Sequence, residues 1–115
     1  MKTRRHFKWR EGRQGTGYTK MLVFETLSPL PLDVYLLRMC QGVEIPTHTD
    51  KVSSGRHFRL NIILCAPQRG GDFVCRDAII DTPRIKLFRP DASPHSVTRI
   101  EAGTRIVLSV GWIAR

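Results

Sequence analysis

Short strand-like runs separated by turn signals recur along this 115-residue chain, and they constrain its fold more than any other feature. The runs are rich in β-branched and aromatic residues, and the segments between them are rich in Gly, Pro, Asp and Ser. No sustained helical periodicity and no internal repeat accompanies them, which argues against a helical bundle or a solenoid. A parallel sheet would need crossover helices, so antiparallel pairing is expected.

The pattern predicts an all-β domain of about eight antiparallel strands, a jelly roll or barrel. An earlier run, Tyr18 to Leu27, is expected to add an edge strand. We therefore predict a basic N-terminal arm with an edge strand over 1–33 and a β-core over 34–115. The predicted core strands are 34–40, 43–48, 57–65, 72–76, 78–81, 84–89, 96–100 and 105–113.

Composition places the chain among single-domain globular proteins, with 41% hydrophobic and 25% charged residues. No apolar run approaches the roughly 20 residues of a membrane helix, so we expect a cytoplasmic protein without a membrane partner. Cys40, Cys65 and Cys75 lack the Cys-x-x-Cys spacing of zinc or redox sites. We expect them to be reduced, buried thiols.

The net charge of +9 is concentrated near the start of the chain. Residues 1–20 hold seven Lys or Arg against one acidic residue, whereas residues 21–115 hold twelve against nine. A basic segment with Phe7 and Trp9 interleaved could bind phosphates and stack on bases. A solvated basic arm is an equally good interpretation.

The last run alternates between two kinds of side chain. Large apolar residues occupy one face, and the other face carries small residues and begins with Arg105. A small-residue face that begins with an arginine favours a strand that lines a cavity. Period two alone does not say which face is inside.

His48 and Asp50 follow a predicted strand and are separated by one residue, so their side chains can point the same way. His95 comes 45 residues after Asp50, at the head of another predicted strand. Two histidines and one carboxylate on one side of a metal leave three positions open, as in non-haem iron(II) oxygenases. The open positions are needed because an oxo-acid and dioxygen bind the same ion.

Arg105 stands ten residues after His95, across a turn. About four residues of strand, roughly 13 Å, separate His95 from that turn, a distance comparable to a five-carbon diacid plus an arginine side chain. Arg105 could therefore bind the distal carboxylate of the oxo-acid with two parallel hydrogen bonds. Taken singly, each of these residues has an ordinary alternative: a turn cap, a satisfied core histidine or a surface arginine.

The segment from about Val34 to Trp112 resembles the double-stranded β-helix core of the Fe(II)- and 2-oxoglutarate-dependent oxygenases, in particular their prolyl-hydroxylase-like branch. The resemblance covers about two-thirds of the chain. It is carried by these ordered elements: His48-x-Asp50, Arg59-LNIIL, Gly70-Gly71-Asp72, Ile85-KLFRPD before His95, and His95-SV-Thr98 leading to Gly103-x-Arg105 and on to Leu108–Trp112.

The resemblance implies a cupin-like jelly roll that binds Fe(II) through His48, Asp50 and His95. It also implies 2-oxoglutarate and dioxygen as co-substrates, with Arg105 on the C5 carboxylate. Arg59 and Asn61 share a strand face, and we treat them as candidates for co-substrate or substrate contact. A structural ion pair is the alternative for Arg59.

The sequence leaves three functions open. The first is hydroxylation of an unactivated C–H bond in a protein or peptide side chain, as the resemblance implies. The second is a nucleic-acid-modifying oxygenase that uses the basic arm. The third is a non-catalytic β-helix binding module. Larger members of the family put helices before the core to support one sheet, and about 33 residues precede it here. Either a homo-oligomer or an unusually minimal fold is therefore expected to replace that support.

Overall fold

The computed structural model describes residues 3–4, 9–11, 18–26 and 31–115, and all regular structure among them is β. None of these described residues belongs to a helix long and apolar enough to cross a membrane. The first strands are β1 Thr3–Arg4, β2 Trp9–Glu11, β3 Thr19–Thr26, β4 Leu32–Met39, β5 Ile45–His48 and β6 Arg56–Cys65. The later strands are β7 Arg69–Gly70, β8 Phe73–Val74, β9 Ile80–Asp81, β10 Ile85–Phe88, β11 His95–Val97, β12 Ile100–Ala102 and β13 Arg105–Ala114.

Three antiparallel sheets are built from these strands. The largest has eight strands in the order β1-β3-β4-β13-β6-β10-β9, with β2 also paired to β3. A three-stranded sheet has the order β5-β11-β8, and β12 pairs with β7. Strands distant in sequence are neighbours, as in β13 between β4 and β6. The predicted all-β jelly roll of antiparallel strands is confirmed.

The strand β13 lies in the middle of the large sheet, and its two faces differ in burial. Arg105, Val107, Ser109 and Gly111 are buried, whereas the alternate residues are only half-buried. The small-residue face therefore points into the molecule and lines an internal space, as its residue pattern predicts. A face of such small side chains cannot fill the gap to the opposite sheet.

The apolar core lies at one end of that internal space. Met39, Ile45, Val97 and Ile100 form a buried cluster that draws on both larger sheets and on β12. Tyr18, Val43 and Phe73 pack around it. The cluster closes the end at which Arg105 enters β13, because Arg105 is the register partner of Met39.

The prediction of one continuous strand over 96–100 is wrong. It is broken between β11 and β12, where Thr98 bonds to Asp72 twice. Its amide donates to the Asp72 carbonyl at 2.9 Å, and its Oγ1 accepts from the Asp72 amide at 2.8 Å. A side-chain hydrogen bond of this kind competes with the sheet ladder.

Two smaller expectations also need correction. The strand β3 is not an edge strand, because β1 and β2 pair with its outer side. Cys75 is buried as expected, but Cys40 and Cys65 are exposed. Both outcomes depend on tertiary contacts that local composition does not encode. These contacts decide whether a short strand pairs beside β3 and whether the residue at the end of a strand is exposed.

Gly70 allows β7 to approach the segment before β12. It has φ of +75°, and a Cβ atom there would overlap the carbonyl oxygen of Arg99. Backbone in this conformation strongly favours glycine. Gly42 shares the positive φ, at +91°, but a Cβ there would meet nothing within 4 Å.

We expect Gly70→Ala to destabilise the fold by more than Gly42→Ala does. Both changes introduce the strain of a left-handed residue, about 1–3 kcal/mol, and Gly70→Ala adds a collision with backbone that cannot move aside. Urea unfolding followed by circular dichroism measures the difference. Equal losses of stability for the two variants would contradict the close approach at Gly70.

Candidate functional site

His48 and His95 are brought together by strand pairing. They are direct register partners across β5 and β11, so their side chains emerge on the same face. Their ring centroids are 4.4 Å apart. Asp50 follows β5 and is held by a hydrogen bond from its own amide to the Pro90 carbonyl, 2.7 Å long. Ligand atoms of His48, Asp50 and His95 all lie within 4.8 Å of one another.

Backbone carbonyls orient both imidazole rings. His48 Nδ1 lies 2.7 Å from the Pro46 carbonyl oxygen, and His95 Nδ1 lies 2.9 Å from that of Ser93. A carbonyl oxygen can only accept, so each Nδ1 carries a proton and donates. In the neutral ring, each Nε2 is then an unprotonated acceptor. This is the usual arrangement of metal-binding histidines, whose second nitrogen is held by a hydrogen bond.

The two Nε2 atoms face the same carboxylate. His48 Nε2 is 3.6 Å from Asp50 Oδ1, and His95 Nε2 is 3.5 Å from Asp50 Oδ2. These separations exceed normal hydrogen bonds, and lone pairs on neutral imidazoles and a carboxylate repel one another. A cation among the three atoms would replace this repulsion by attraction. The donor set and its convergence therefore fit a divalent metal ion with two nitrogen ligands and one oxygen ligand.

The three residues line one cavity, of about 370 Å³, between the two larger sheets. The rings of Phe88 and Phe73 pack beside the imidazole of His95. The ring centroids of Phe88 and His95 are 4.9 Å apart. The cavity walls come from Tyr18, Lys20, Tyr35, Leu37, Met39, Ile45, His48, Asp50, His57, Arg59, Asn61, Phe73, Phe88, His95, Ser96, Val97, Arg105 and Ser109. Every residue that the sequence predicted for the site therefore lines this one cavity.

Arg105 is the largest fully buried side chain among the described residues, with 2% of its surface exposed. Its Nη1 lies 3.7 Å from the sulfur of Met39, which is a weak acceptor. Its Nη2 is buried and has no hydrogen-bond partner among the described residues. A buried guanidinium without a carboxylate carries a large desolvation cost, and an anion bound in the cavity would remove that cost.

Burial lowers the pKa of Arg105 well below its ordinary value, to about 10, and the nearby charge of Asp72 acts in the opposite direction. The side chain therefore stays charged at neutral pH. A cation whose pKa is lower in the folded state destabilises the fold wherever it is protonated. This cost is fully present below about pH 10 and disappears as the pH rises from there towards the ordinary pKa of an arginine.

Arg59 also lines the cavity, but its charge is compensated. Nη2 contacts Asp33 Oδ1 at 2.8 Å, and Nη1 donates to Ser109 Oγ at 2.8 Å. The guanidinium lies over Gly111, where a Cβ atom would overlap it. The geometry favours the structural ion pair over direct anion binding, and it explains why β13 carries small residues at these two positions. A binding role for Arg59 stays a prediction.

Asn61 lies between the level of Arg59 and that of Arg105 on the cavity wall, as the register partner of Ser109. It is 6% exposed, and within the described part of the chain its buried Oδ1 has no hydrogen-bond partner. The amide oxygen and nitrogen can exchange places by rotation, so Asn61 can offer either a donor or an acceptor. An unsatisfied buried amide costs about 1–3 kcal/mol, which a polar ligand would offset.

His57 is a cavity residue that the sequence did not single out. Its Nε2 lies 3.3 Å from Arg59 Nη2, which can only donate, so Nε2 accepts. Burial, followed by the charge of Arg59, lowers the pKa of His57 and keeps the ring neutral at pH 7. It stands apart from the cluster of His48, Asp50 and His95. Its only sequence signal is its alternation with Arg59 and Asn61 along β6.

Comparison with solved structures identifies the architecture. The cupin domain of Schizosaccharomyces pombe Cnp3 aligns with 92% of this chain and 68% of that chain, at 12% identity and a TM-score of 0.63. KdgF from Halomonas sp. aligns over 94% and 87%, at 15% identity and a TM-score of 0.59. The DMSP lyase DddQ from Ruegeria pomeroyi aligns over 93% and 56%, at 18% identity and a TM-score of 0.60.

The chain has a cupin fold. No protein-family model matches the sequence, and no curated protein matches it. Because the identities are low, the likeness to these cupins establishes the architecture and not the chemistry. The double-stranded β-helix implied by the sequence resemblance is the same architecture. The 2-oxoglutarate-dependent branch remains a prediction.

We expect His48→Ala and His95→Ala each to weaken binding of a divalent metal by roughly 100-fold or more, since second-sphere changes alone cost about 10- to 100-fold. Isothermal titration with Co(II) or Mn(II) provides the measurement. His57→Ala is the matched control, because it removes a histidine from the same cavity outside the cluster. Metal binding that depends equally on His57 would place the ion elsewhere.

We expect Arg105→Met to stabilise the ligand-free protein by roughly 1–4 kcal/mol at pH 7, because a chain of similar volume replaces an uncompensated buried cation. Arg105→Lys keeps the charge and serves as the control, so it should give no such gain. Urea unfolding at pH 7 measures both. A loss of stability in Arg105→Met would mean that the guanidinium is compensated within the protein.

Proposed function

We propose that this cupin is an Fe(II)- and 2-oxoglutarate-dependent oxygenase that hydroxylates an unactivated C–H bond. The observation that carries the proposal is the uncompensated Arg105 guanidinium in the same cavity as the His48, Asp50 and His95 ligand atoms. A metal site alone is consistent with many reactions of cupin proteins. A metal site combined with a buried receptor for a remote carboxylate fits an oxo-acid co-substrate.

Two histidines and one carboxylate would hold the iron and leave adjacent positions open for an oxo-acid and for dioxygen. Bound iron(II) supplies the dioxygen activation that couples oxidative decarboxylation of 2-oxoglutarate to hydroxylation. The protein fixes both imidazole rings through the Pro46 and Ser93 carbonyls, so their Nε2 lone pairs need no reorientation when the metal binds. Such preorganisation favours tight binding.

Arg105 would bind the C5 carboxylate of 2-oxoglutarate through its free Nη2. The apolar cluster around Met39 excludes water from that end of the cavity, which strengthens the charge pair. Asn61 would contact the same molecule, because it lines the same cavity and its buried Oδ1 is unsatisfied among the described residues. Arg59 would act indirectly, by fixing Ser109 and His57.

The prolyl-hydroxylase-like sequence pattern supports a protein or peptide side chain as the substrate. Tyr35, Phe73 and Phe88 give the cavity an aromatic lining, which suits the apolar part of such a side chain. The neutral His57 ring adds a polar group to the same wall. A protein substrate is also consistent with a cavity that holds one side chain beside a small co-substrate.

Anaerobic titration with Fe(II) and 2-oxoglutarate tests the proposal through the weak visible band of the chelate. We expect the band in the wild-type protein and its absence in Asp50→Ala. Arg105→Met should weaken 2-oxoglutarate affinity at least about tenfold, the loss expected for a buried charge-assisted bond, and leave metal affinity within about twofold.

Succinate release under air provides the second readout. We expect slow uncoupled release from wild type and none from Asp50→Ala. Tight Fe(II) binding with neither the band nor succinate would overturn the oxygenase assignment and leave a metal-binding cupin of other chemistry. An unchanged 2-oxoglutarate affinity in Arg105→Met would separately refute the role given to that residue.

A further inference from the structure

Arg10 and Lys20 form a pair of like charges on the cavity side of the large sheet. They are direct register partners across β2 and β3, so their side chains emerge on the same face. Lys20 is in turn the register partner of Leu37 on β4. Both residues line the cavity that contains His48, Asp50 and His95. The pair therefore extends the cavity wall outwards, from half-buried Lys20 to exposed Arg10.

None of the ion pairs found among the described residues includes Arg10 or Lys20. The Lys20 ammonium lies 5.0 Å from the centroid of the Tyr35 ring, which holds it against the cavity wall. Like charges directly opposite each other destabilise a sheet. An anionic group bound across the pair would convert this repulsion into attraction.

Inside the cavity the positive charges already have assigned or observed partners. Arg59 is paired with Asp33, and Arg105 is proposed to bind the co-substrate. Asp50 is the acidic residue among those lining the cavity, and it belongs to the metal cluster. Lys20 and Arg10 therefore remain available for a second anion, which the co-substrate does not supply.

The aromatic residue next to Arg10 does not serve this face. Trp9 alternates with Arg10 on β2, so it emerges on the opposite side of the sheet, as the register partner of Met21. There the Arg38 guanidinium lies 4.2 Å from its ring centroid. Binding of single-stranded nucleic acid combines phosphate contacts with exposed rings that stack on bases. Trp9 gives no such ring beside the Arg10–Lys20 pair, and the Tyr35 ring on this face is covered by the Lys20 ammonium.

We infer that Arg10 and Lys20 bind an acidic stretch of a peptide substrate and so guide a neighbouring side chain to the metal. The guiding of that side chain to the metal rests on the proposed function. The binding of the acidic stretch by Arg10 and Lys20 does not. Alternate residues of an extended peptide lie on one face about 7 Å apart, and neighbouring strands lie about 5 Å apart. Two carboxylates two residues apart could thus each reach one cation.

Fluorescence anisotropy with a labelled octaglutamate peptide tests the inference on the full chain without added metal. The double variant Arg10→Gln/Lys20→Gln should weaken binding roughly five- to tenfold, the sum of two exposed charge pairs. Arg76→Gln/Arg99→Gln is the matched control, since it removes the same charge from exposed positions outside the cavity. The control should stay within about twofold of wild type, and affinity should fall as salt rises.

Two results would overturn the inference. Equal losses in the two double variants would show binding by net charge alone. Tighter binding of a labelled octathymidylate, with the larger loss in Arg10→Gln/Lys20→Gln, would assign the pair to nucleic acid. Because this assay contains no iron or 2-oxoglutarate, its outcome is independent of the anaerobic titration, and either proposal can fail without the other.

Discussion

The inner face of β13 is the constraint on which the interior of this protein depends. This strand is paired on both sides, with β4 and with β6, so its buried side chains decide how much of the space between the sheets is filled. Val107, Ser109 and Gly111 are too small to reach across. The remaining volume becomes a cavity, and the strand that leaves it open also delivers Arg105 to its end.

Charge in this cavity is distributed between compensated and uncompensated groups. The guanidinium of Arg59 is satisfied by Asp33 and Ser109 and acts as part of the wall. That of Arg105 is buried with only the weak acceptor sulfur of Met39 as a hydrogen-bond partner among the described residues, and this burial lowers the stability of the ligand-free fold. Proteins keep such a costly group where binding needs it, because the desolvated cation interacts strongly with an incoming anion. The two arginines thus have opposite physical roles in one cavity.

The cupin architecture explains why the metal cluster and the arginine share a cavity. His48 and His95 are cross-strand partners in the small sheet, and Arg105 belongs to the large sheet that faces it. Side chains from the two inner faces point at one another, so His48 and His95 line the same cavity as Arg105 from the opposite sheet. Cnp3, KdgF and DddQ share this architecture at low sequence identity, and a shared fold leaves the chemistry to particular side chains.

The sequence by itself determined the β class and the antiparallel pairing, because these follow from local periodicity and from turn residues. The small residues that follow Arg105 favoured one face of β13 as the inner one, and the burial of that face in the structure decided it. The sequence also predicted which residues could meet in one site, since His48, Asp50, His95 and Arg105 each stand at the end of a predicted strand. Only the tertiary structure decided which polar groups are satisfied. Three such facts depend on register between strands far apart in sequence. Arg59 pairs with Asp33, Nη2 of Arg105 has no partner among the described residues, and Lys20 lies on the cavity wall. Register is set by the summed packing of whole sheets, and no local pattern contains it.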